Sequence, residues 1–315
     1  MDRTPVTHRT TTRQLGRLPS SREIEVTVHR YVGGSGPRVY VQAAQHGIEL
    51  NGPAALRRLH GRLCDARLAG EVVVVPVANP LAFDARSYLT PAAYDARAPN
   101  MNRRWPGEES GSLGERFVAR LWGLIEDADP DAVVDLHAGT PDMLPHVRHG
   151  ADDETARRLA EAFGTPYRLA APDDADSSAG KFRITAARAG IPAITAELAN
   201  SRTVSRPAAE TGADGVERVL QALDLLAGTV PTVEQTPLHD EPASVRATES
   251  GLFEPADGVA VGERLSAGEP LGTVYNPAGF ESLATPTVAD GGVVYSLARG
   301  TVVAGERLVA LGAPS

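Results

Sequence analysis

The sequence comprises 315 residues, which is enough for one large domain or two domains of ordinary size. Apolar residues make up 42% and charged residues 23%, a composition that indicates a folded globular protein rather than a disordered chain. No apolar segment approaches the roughly 20 residues needed to span a bilayer, so we expect no membrane partner. The formal net charge of −9 argues against a general nucleic-acid binder. The single cysteine, Cys64, excludes an intramolecular disulfide bond.

The first 22 residues carry scattered arginines among Thr and Ser, without an apolar face or the hydrophobic core of a secretion signal. This pattern predicts a flexible, solvated tail over residues 1–22 and a cytoplasmic protein. The sequence has one lysine, Lys181, so Schiff-base, phosphate-loop or carrier-lysine chemistry could involve only that residue.

Strands and helices alternate along most of the chain, which predicts an α/β domain over residues 23–230 with a mostly parallel or mixed sheet flanked by helices. Strands are predicted from alternating or continuously apolar runs at Glu23–Tyr31, Val39–Ala44, Val72–Val75, Ala132–Leu136 and Ala193–Ala196. Helices are predicted at Pro53–Leu68, Ser112–Ile125, Glu154–Phe163, Ala179–Ala189 and from Val216 to Gly228. A linker at residues 229–237 precedes short β-like runs that predict a small all-β domain over residues 236–315.

A histidine and a glutamate three residues apart, His46 and Glu49, follow the predicted strand Val39–Ala44. At the C-terminal end of a strand, both side chains can face the crevice where α/β sheets hold ligands. Imidazole and carboxylate together suit zinc, and a catalytic zinc site takes three protein ligands. The competing interpretation of this short motif is a loop histidine beside a solvated glutamate.

The predicted strand Ala132–Leu136 ends in His137, which is followed by a loop of small residues. His137 is therefore a candidate third ligand, since it ends a second apolar strand. Asp135 could orient an imidazole or could cap a nearby turn.

A loop with the sequence PNMNRRWPG places Asn102 and Arg103 beside an aromatic residue. A guanidinium binds a carboxylate through two parallel hydrogen bonds, so the loop is a candidate substrate site. The alternative is a surface loop with a buried Trp105. Farther along the chain, Glu197 ends a short apolar strand, where a glutamate is either functional or salt-bridged. A carboxylate in such a place can act as general base and then general acid.

Five motifs follow one another in the order HGIE, NPLAF, NMNRRWPG, VVDLHAG and ITAEL. In this order they resemble the succinylglutamate desuccinylase/aspartoacylase family, which consists of zinc-dependent deacylases with a zinc-carboxypeptidase-like α/β fold. The resemblance covers roughly residues 38–228. The β-rich C-terminal part also resembles that of the family.

The resemblance implies a set of site residues and one Zn²⁺ per chain. It implies zinc ligands at His46, Glu49 and His137, and Glu197 as the catalytic acid/base. Asn102 and Arg103 would grip a substrate carboxylate, and Arg86 is the best match for the family's carbonyl-polarising arginine. The stretch between Arg86 and the NMNR motif is longer than usual in the family, so Arg97 is an alternative. Trp105 replaces the more usual phenylalanine, and the glycine common two residues after the acid/base is absent.

The C-terminal part resembles a biotinyl/lipoyl-type hybrid barrel. A carrier role is excluded because no lysine follows Lys181. We expect this part either to narrow the mouth of the site or to make a contact between copies in a homo-oligomer.

Taken together, the sequence predicts a zinc-dependent amidohydrolase that deacylates an N-acyl amino acid or a related small molecule with a carboxylate. The alternatives are a zinc carboxypeptidase acting on peptides and a catalytically silent binding protein on the same fold.

Overall fold

The structure, a computed structural model, describes residues 2–97, 99–139, 142–171, 179–239 and 243–313. The strands are β1 (Thr4–Pro5), β2 (Thr7–Arg17), β3 (Glu23–Val32), β4 (Arg38–Ala43), β5 (Arg67–Leu68), β6 (Glu71–Val75), β7 (Ala132–Gly139), β8 (Asp142–Met143), β9 (His146–Gly150), β10 (Tyr167–Ala171), β11 (Ala193–Asn200), β12 (Thr236–His239), β13 (Ala243–Arg246), β14 (Gly251–Pro255), β15 (Arg264–Leu265), β16 (Gly272–Tyr275), β17 (Ser282–Ala284), β18 (Gly292–Leu297), β19 (Gly300–Val302) and β20 (Arg307–Gly312). The helices are α1 (Asn51–Cys64), α2 (Pro80–Asp84), α3 (Leu113–Ala128), α4 (Glu154–Phe163), α5 (Phe182–Arg188) and α6 (Arg206–Ala222), with a 3₁₀ turn at Met101–Arg103.

Within the described residues, nine strands form the main sheet in the order β12-β10-β9-β11-β7-β4-β6-β3-β2. The central strands β6, β4, β7 and β11 run parallel to their neighbours in this series. β9 lies antiparallel to β11, and β2 and β3 form an antiparallel pair at one edge. The mixed α/β class predicted from the sequence is confirmed.

Helices cover both faces of the main sheet, as parallel strands with continuous apolar runs require. One apolar core lies between the sheet and α1, α4 and α6, and it contains Leu59, Phe163 and Val219. The second core lies under α3 and α5 and contains Phe117 and Phe182. Because helices and apolar cores cover both faces of the sheet, a polar site is expected at the ends of the central strands.

The N-terminal residues are not the flexible tail that the sequence predicted. β2 pairs antiparallel with β3, from Thr7 opposite Val32 to Arg17 opposite Glu23. Most β2 side chains are exposed, so the strand is held by backbone hydrogen bonds at the sheet edge and shows no apolar alternation. The sequence prediction relied on apolar side chains that become buried, and it therefore missed this exposed strand.

Helix α1 begins differently from a side-chain-capped helix. Asn51 does not cap it but reaches the end of β11, donating through Nδ2 to the carbonyls of Leu198 at 2.7 Å and Asn200 at 3.0 Å. Its Oδ1 accepts from the amide of Ser205 at 2.8 Å. The start of α1 is thereby tied to the loop between β11 and α6.

The C-terminal strands β13–β20 form two small antiparallel sheets around their own apolar core, which includes Phe253 and Val274. The predicted boundary at residue 236 would place β12 with these strands. The structure instead pairs β12 in parallel with β10 of the main sheet. The division into domains and the barrel likeness stay predictions. Among the described residues, no helix combines the length and apolar character that crossing a membrane requires.

Candidate metal centre and active site

The loop between β4 and α1 carries His46 and Glu49, which are 4% and 3% exposed. Nδ1 of His46 lies 2.8 Å from Oε1 of Glu49. The loop packs closely on α2, since a Cβ on Gly47 would lie 2.1 Å from the carbonyl of Ala82. Glycine is therefore required between the two candidate ligands.

His137 stands near the end of β7 and is 3% exposed. Its Nδ1 lies 2.8 Å from Oε2 of Glu49, so the two carboxylate oxygens each face one imidazole. One donor atom each from His46, Glu49 and His137 lies within 4.8 Å of the others. The structure thus brings together the three residues predicted as metal ligands.

Other polar groups hold the far nitrogens of both rings. Nε2 of His137 lies 2.8 Å from Oδ2 of Asp135, and Nε2 of His46 lies 3.2 Å from Oδ1 of Asn100. Gln45 donates to Asp135 at 2.7 Å and accepts from the Trp105 indole at 2.8 Å. With Nε2 engaged in both rings, Nδ1 is the nitrogen that each ring presents toward Glu49.

The charges in this cluster favour a cation. Burial alone would raise the pKa of Glu49, but the His137 and His46 imidazoles lower it to about 2. Burial alone would lower the pKa of His137, but Asp135 and Glu49 raise it well above its usual value. Two buried carboxylates flank one imidazole, and two nitrogens and a carboxylate are a donor set that zinc accepts with a position left open. The residues present therefore fit a zinc ion.

Glu197 lies on β11, between two histidine-bearing strands. It is the register partner of His137 on β7 and of His146 on β9. Paired residues of adjacent strands project to the same face, so the carboxylate stands beside the metal-ligand cluster. Burial raises the pKa of Glu197, an effect that His137 opposes and Glu49 reinforces.

Next to Glu197, residues of β9 contact a residue of the C-terminal strands. β8 pairs with β18, and the Tyr295 ring meets His146 edge-on with centroids 5.6 Å apart. Arg148 lies over Tyr295 at 5.9 Å and donates from Nε to Nε2 of His146 at 3.1 Å. Burial and Arg148 lower the pKa of His146 to about 3. Through Tyr295, the C-terminal strand β18 therefore contacts the edge of the site.

The NMNRRWPG loop holds the predicted substrate-binding residues. Trp105 is buried, as the alternative interpretation of this loop supposed. Oδ1 of Asn102 accepts from the amide of Phe182 at 2.8 Å, which ties the loop to α5. Arg103 is exposed and donates to the Asn102 carbonyl at 2.6 Å. Its positive charge opposes the rise in the pKa of Tyr88.

The two arginines considered for carbonyl polarisation are both exposed. Arg86 has a φ of +51° in the turn after α2, two residues before Tyr88. Arg97 donates its amide to Asp95 at 2.9 Å. Among the contacts of the described residues, no hydrogen bond or ion pair joins either arginine to the metal-ligand cluster.

Two residues that contact His46, Tyr88 and Asn100, were not assigned a role from the sequence. The Tyr88 ring stacks on His46 with centroids 4.1 Å apart and is 38% exposed. Burial and Glu49 raise the pKa of Tyr88 to about 12. The other is Asn100, which lies within the quoted NMNR motif but carries no signal that pairs it with His46.

The chain is thus a mixed α/β protein with a buried His–Glu–His cluster, a candidate metal centre, at the ends of its central strands. A family model described as the succinylglutamate desuccinylase/aspartoacylase catalytic domain matches residues 35–223. The chain belongs to the succinylglutamate desuccinylase/aspartoacylase family, which confirms the resemblance and makes it a member of a family of deacylases.

The chain is similar to N-alpha-acetyl-L-2,4-diaminobutyric acid deacetylase of Halomonas elongata, with 28% identity over 255 residues, 77% of this chain and 72% of the relative. Solved structures share the fold. The product-bound ectoine utilization protein EutE (DoeB) from Ruegeria pomeroyi matches with a TM-score of 0.86 at 23% identity, over 99% of this chain and 96% of its own. A succinylglutamate desuccinylase/aspartoacylase from Rhodobacter sphaeroides matches with a TM-score of 0.84 at 24% identity, over 99% and 100%.

Proposed function

We propose that this chain is a zinc-dependent amidohydrolase that removes the acyl group from an N-acyl amino acid or a related small carboxylate. The observation that carries the proposal is the register of Glu197 with His137, which sets a carboxylate of raised pKa beside the metal-ligand cluster. The similarity to a deacetylase that acts on an N-acetylated diamino acid supports an amide substrate of this class.

In this proposal His46, Glu49 and His137 hold one zinc ion per chain. When bound, zinc supplies Lewis acidity toward the scissile carbonyl and lowers the pKa of water. Asp135 and Asn100 hold the rings of the two histidines with Nδ1 toward Glu49. The ligand set is thereby organised before a substrate arrives.

Glu197 is the proton carrier of the reaction. Its carboxylate accepts a proton from the attacking water and returns it to the nitrogen of the departing amine. A raised pKa suits this role, because a general base that must also serve as general acid works best with a pKa near the operating pH.

The arginines of the neighbouring loops bind the substrate. Arg103 grips a substrate carboxylate, with Asn102 holding the loop through its contact with Phe182. Arg86 polarises the scissile carbonyl, since it is two residues from Tyr88 and Tyr88 lies on His46. Arg97 is the alternative for this role.

A peptide carboxypeptidase would use the same ligands but needs an open groove. The pairing of β8 with β18 sets Tyr295 against His146, next to Glu197 in register, which favours a small substrate. A silent binding protein would have no use for a proton carrier beside the metal ligands.

The test measures zinc content and hydrolysis of Nα-acetyl-2,4-diaminobutyrate and other N-acyl amino acids. Glu197→Gln should keep zinc and fold but lose about 10²–10⁴-fold in turnover. The exposed residue Glu249 offers the matched control, and Glu249→Gln should behave as wild type. His137→Ala should lose most of its zinc. Near-normal turnover in zinc-loaded Glu197→Gln, or full zinc occupancy in His137→Ala, would contradict the proposal.

A further inference from the structure

Three histidines that the proposed active site does not use converge at the edge of the main sheet. They are His8 on β2, His29 on β3 and His60 on α1, and they form what we call the histidine triad. One donor atom of each lies within 4.8 Å of the other two. Nε2 of His8 lies 3.1 Å from Nδ1 of His29, and the His60 ring centroid lies 5.0 Å and 5.8 Å from the centroids of these two rings.

Strand register brings the triad to one face. His8 pairs with Tyr31, and Tyr31 is two residues after His29. The side chains of His8, His29 and Tyr31 therefore project to the same face of the sheet, toward α1. Arg9 and Arg30 form the adjacent register pair, and alternation along a strand sends their side chains to the opposite face. The cationic side chains of the hairpin are thereby kept away from the three imidazoles.

Neighbouring side chains hold the rings in place. The hydroxyl of Tyr31, a residue only 2% exposed, lies 2.7 Å from Nδ1 of His60. Oγ1 of Thr10 lies 3.5 Å and 3.4 Å from the nitrogens that the two strand histidines turn toward each other. Nε2 of His8, Nδ1 of His29 and Oγ1 of Thr10 therefore lie within 3.5 Å of one another.

The pKa values of the two strand imidazoles, His8 and His29, are lowered. Burial and the nearby His60 ring lower the pKa of His8, and burial with the rings of His8 and His60 lowers that of His29. Neutral imidazole is the form that binds metals.

We propose that the histidine triad binds one divalent transition-metal ion of the kind that imidazole favours, namely Zn²⁺, Cu²⁺ or Ni²⁺. The ion would link the β2–β3 hairpin to α1. His60 lies nine residues beyond Asn51, where α1 starts, and therefore about 14 Å along the helix from the Glu49 end. The triad is thus a second site, independent of the proposed catalytic one.

The experiment uses the full chain without an affinity tag, stripped with a chelator and dialysed against buffered micromolar Zn²⁺. We expect two zinc equivalents in wild type and one in each of His8→Gln, His29→Gln and His60→Gln. Thr12→Ala, at an exposed position farther along the same face of β2 and outside the triad, is the matched control and should keep both. Circular dichroism checks that each variant is folded.

A second measurement isolates the triad. The double variant His46→Gln/His137→Gln should retain one equivalent of Cu²⁺ with nitrogen couplings in its electron paramagnetic resonance spectrum. Adding His60→Gln should weaken that binding at least tenfold. If the double variant does not fold, the zinc contents of the triad variants decide alone.

The outcomes separate this proposal from the proposed function. Zinc content equal to wild type in all three triad variants would overturn the triad site, whatever happens at His137. A wild type that holds one equivalent and loses it in the triad variants would uphold the triad and contradict zinc binding by His46, Glu49 and His137.

Discussion

The carboxylate of Asp135 lies 2.8 Å from Nε2 of His137, on the side of the ring that faces away from Glu49. The two residues are neighbours on one face of β7 and both are buried. A carboxylate in this position fixes the ring and raises the basicity of the nitrogen that would hold a metal.

We predict that Asp135→Asn weakens zinc binding by about 10–100-fold while the fold is kept. An amide can still hydrogen bond to the ring but lacks the negative charge that makes the imidazole a better ligand. Competition with a chromogenic chelator measures the change in zinc affinity. Asp257→Asn, at an exposed site in the C-terminal part, is the control. An unchanged zinc affinity in Asp135→Asn would show that Asp135 serves packing alone.

Arg103 is predicted to set the requirement for a substrate carboxylate. Loss of a charge-assisted pair costs about 1.5–3 kcal/mol, so Arg103→Ala should lower kcat/KM for the acid roughly tenfold to over a hundredfold. Arg103→Lys should be nearly as damaging, because an ammonium cannot form two parallel hydrogen bonds. The measurement compares the acid with its methyl ester, with Arg116→Ala as an exposed control. Equal losses for acid and ester would make Arg103 a structural residue.

His146 is predicted to make the protein less stable as the pH falls. Burial and Arg148 lower its pKa from 6.5 to about 3, so between these values the unfolded chain binds a proton that the folded chain does not. The contribution of neutral His146 is fully present above pH 6.5 and is lost as the pH falls, by about 2 kcal/mol between pH 7 and pH 5. Urea unfolding at several pH values should show a shallower pH dependence for His146→Gln. If the free energy of unfolding changes with pH equally in wild type and His146→Gln, His146 is not the source of the pH dependence.

Asn51→Ala is predicted to destabilise the start of α1 and the loop after β11 together. The change removes one buried and two partly buried hydrogen bonds to the backbone, at about 1–3 kcal/mol for each buried group left unsatisfied. Chemical denaturation gives the loss, and Asn276→Ala in an exposed turn provides the comparison. A change below about 0.5 kcal/mol would mean that water replaces the amide.

Sequence reasoning predicted the residues of this candidate metal-ligand cluster, because each candidate ligand follows an apolar run that predicts a buried strand. His46 and His137 lie just beyond such runs, and strand ends meet at one edge of a parallel sheet. The helix predicted from Ser112 is also confirmed as α3, and it begins with a capping box of Ser112 and Glu115, two partners that are close in sequence.

The parts that were missed depend on contacts between distant residues. β2 is an exposed edge strand, so its pairing leaves no trace in the apolar pattern. Tyr88 reaches His46 through a loop whose path no periodicity encodes. Tyr295 reaches His146 from a separate sheet, 149 positions along the chain, and only the pairing of β8 with β18 reveals it.

Lys181 offers the one side-chain ammonium of this protein as a target for chemical labelling. It is the only lysine of the sequence, and it precedes α5 between two residues bonded to the NMNRRWPG loop. The carbonyl of Gly180 accepts from Trp105, and the amide of Phe182 donates to Asn102. Besides the α-amine of the chain, a fluorophore that reacts with amines would therefore mark this one side chain, beside the loop that carries Arg103. Its emission offers a direct optical record of substrate arrival, without engineered cysteines.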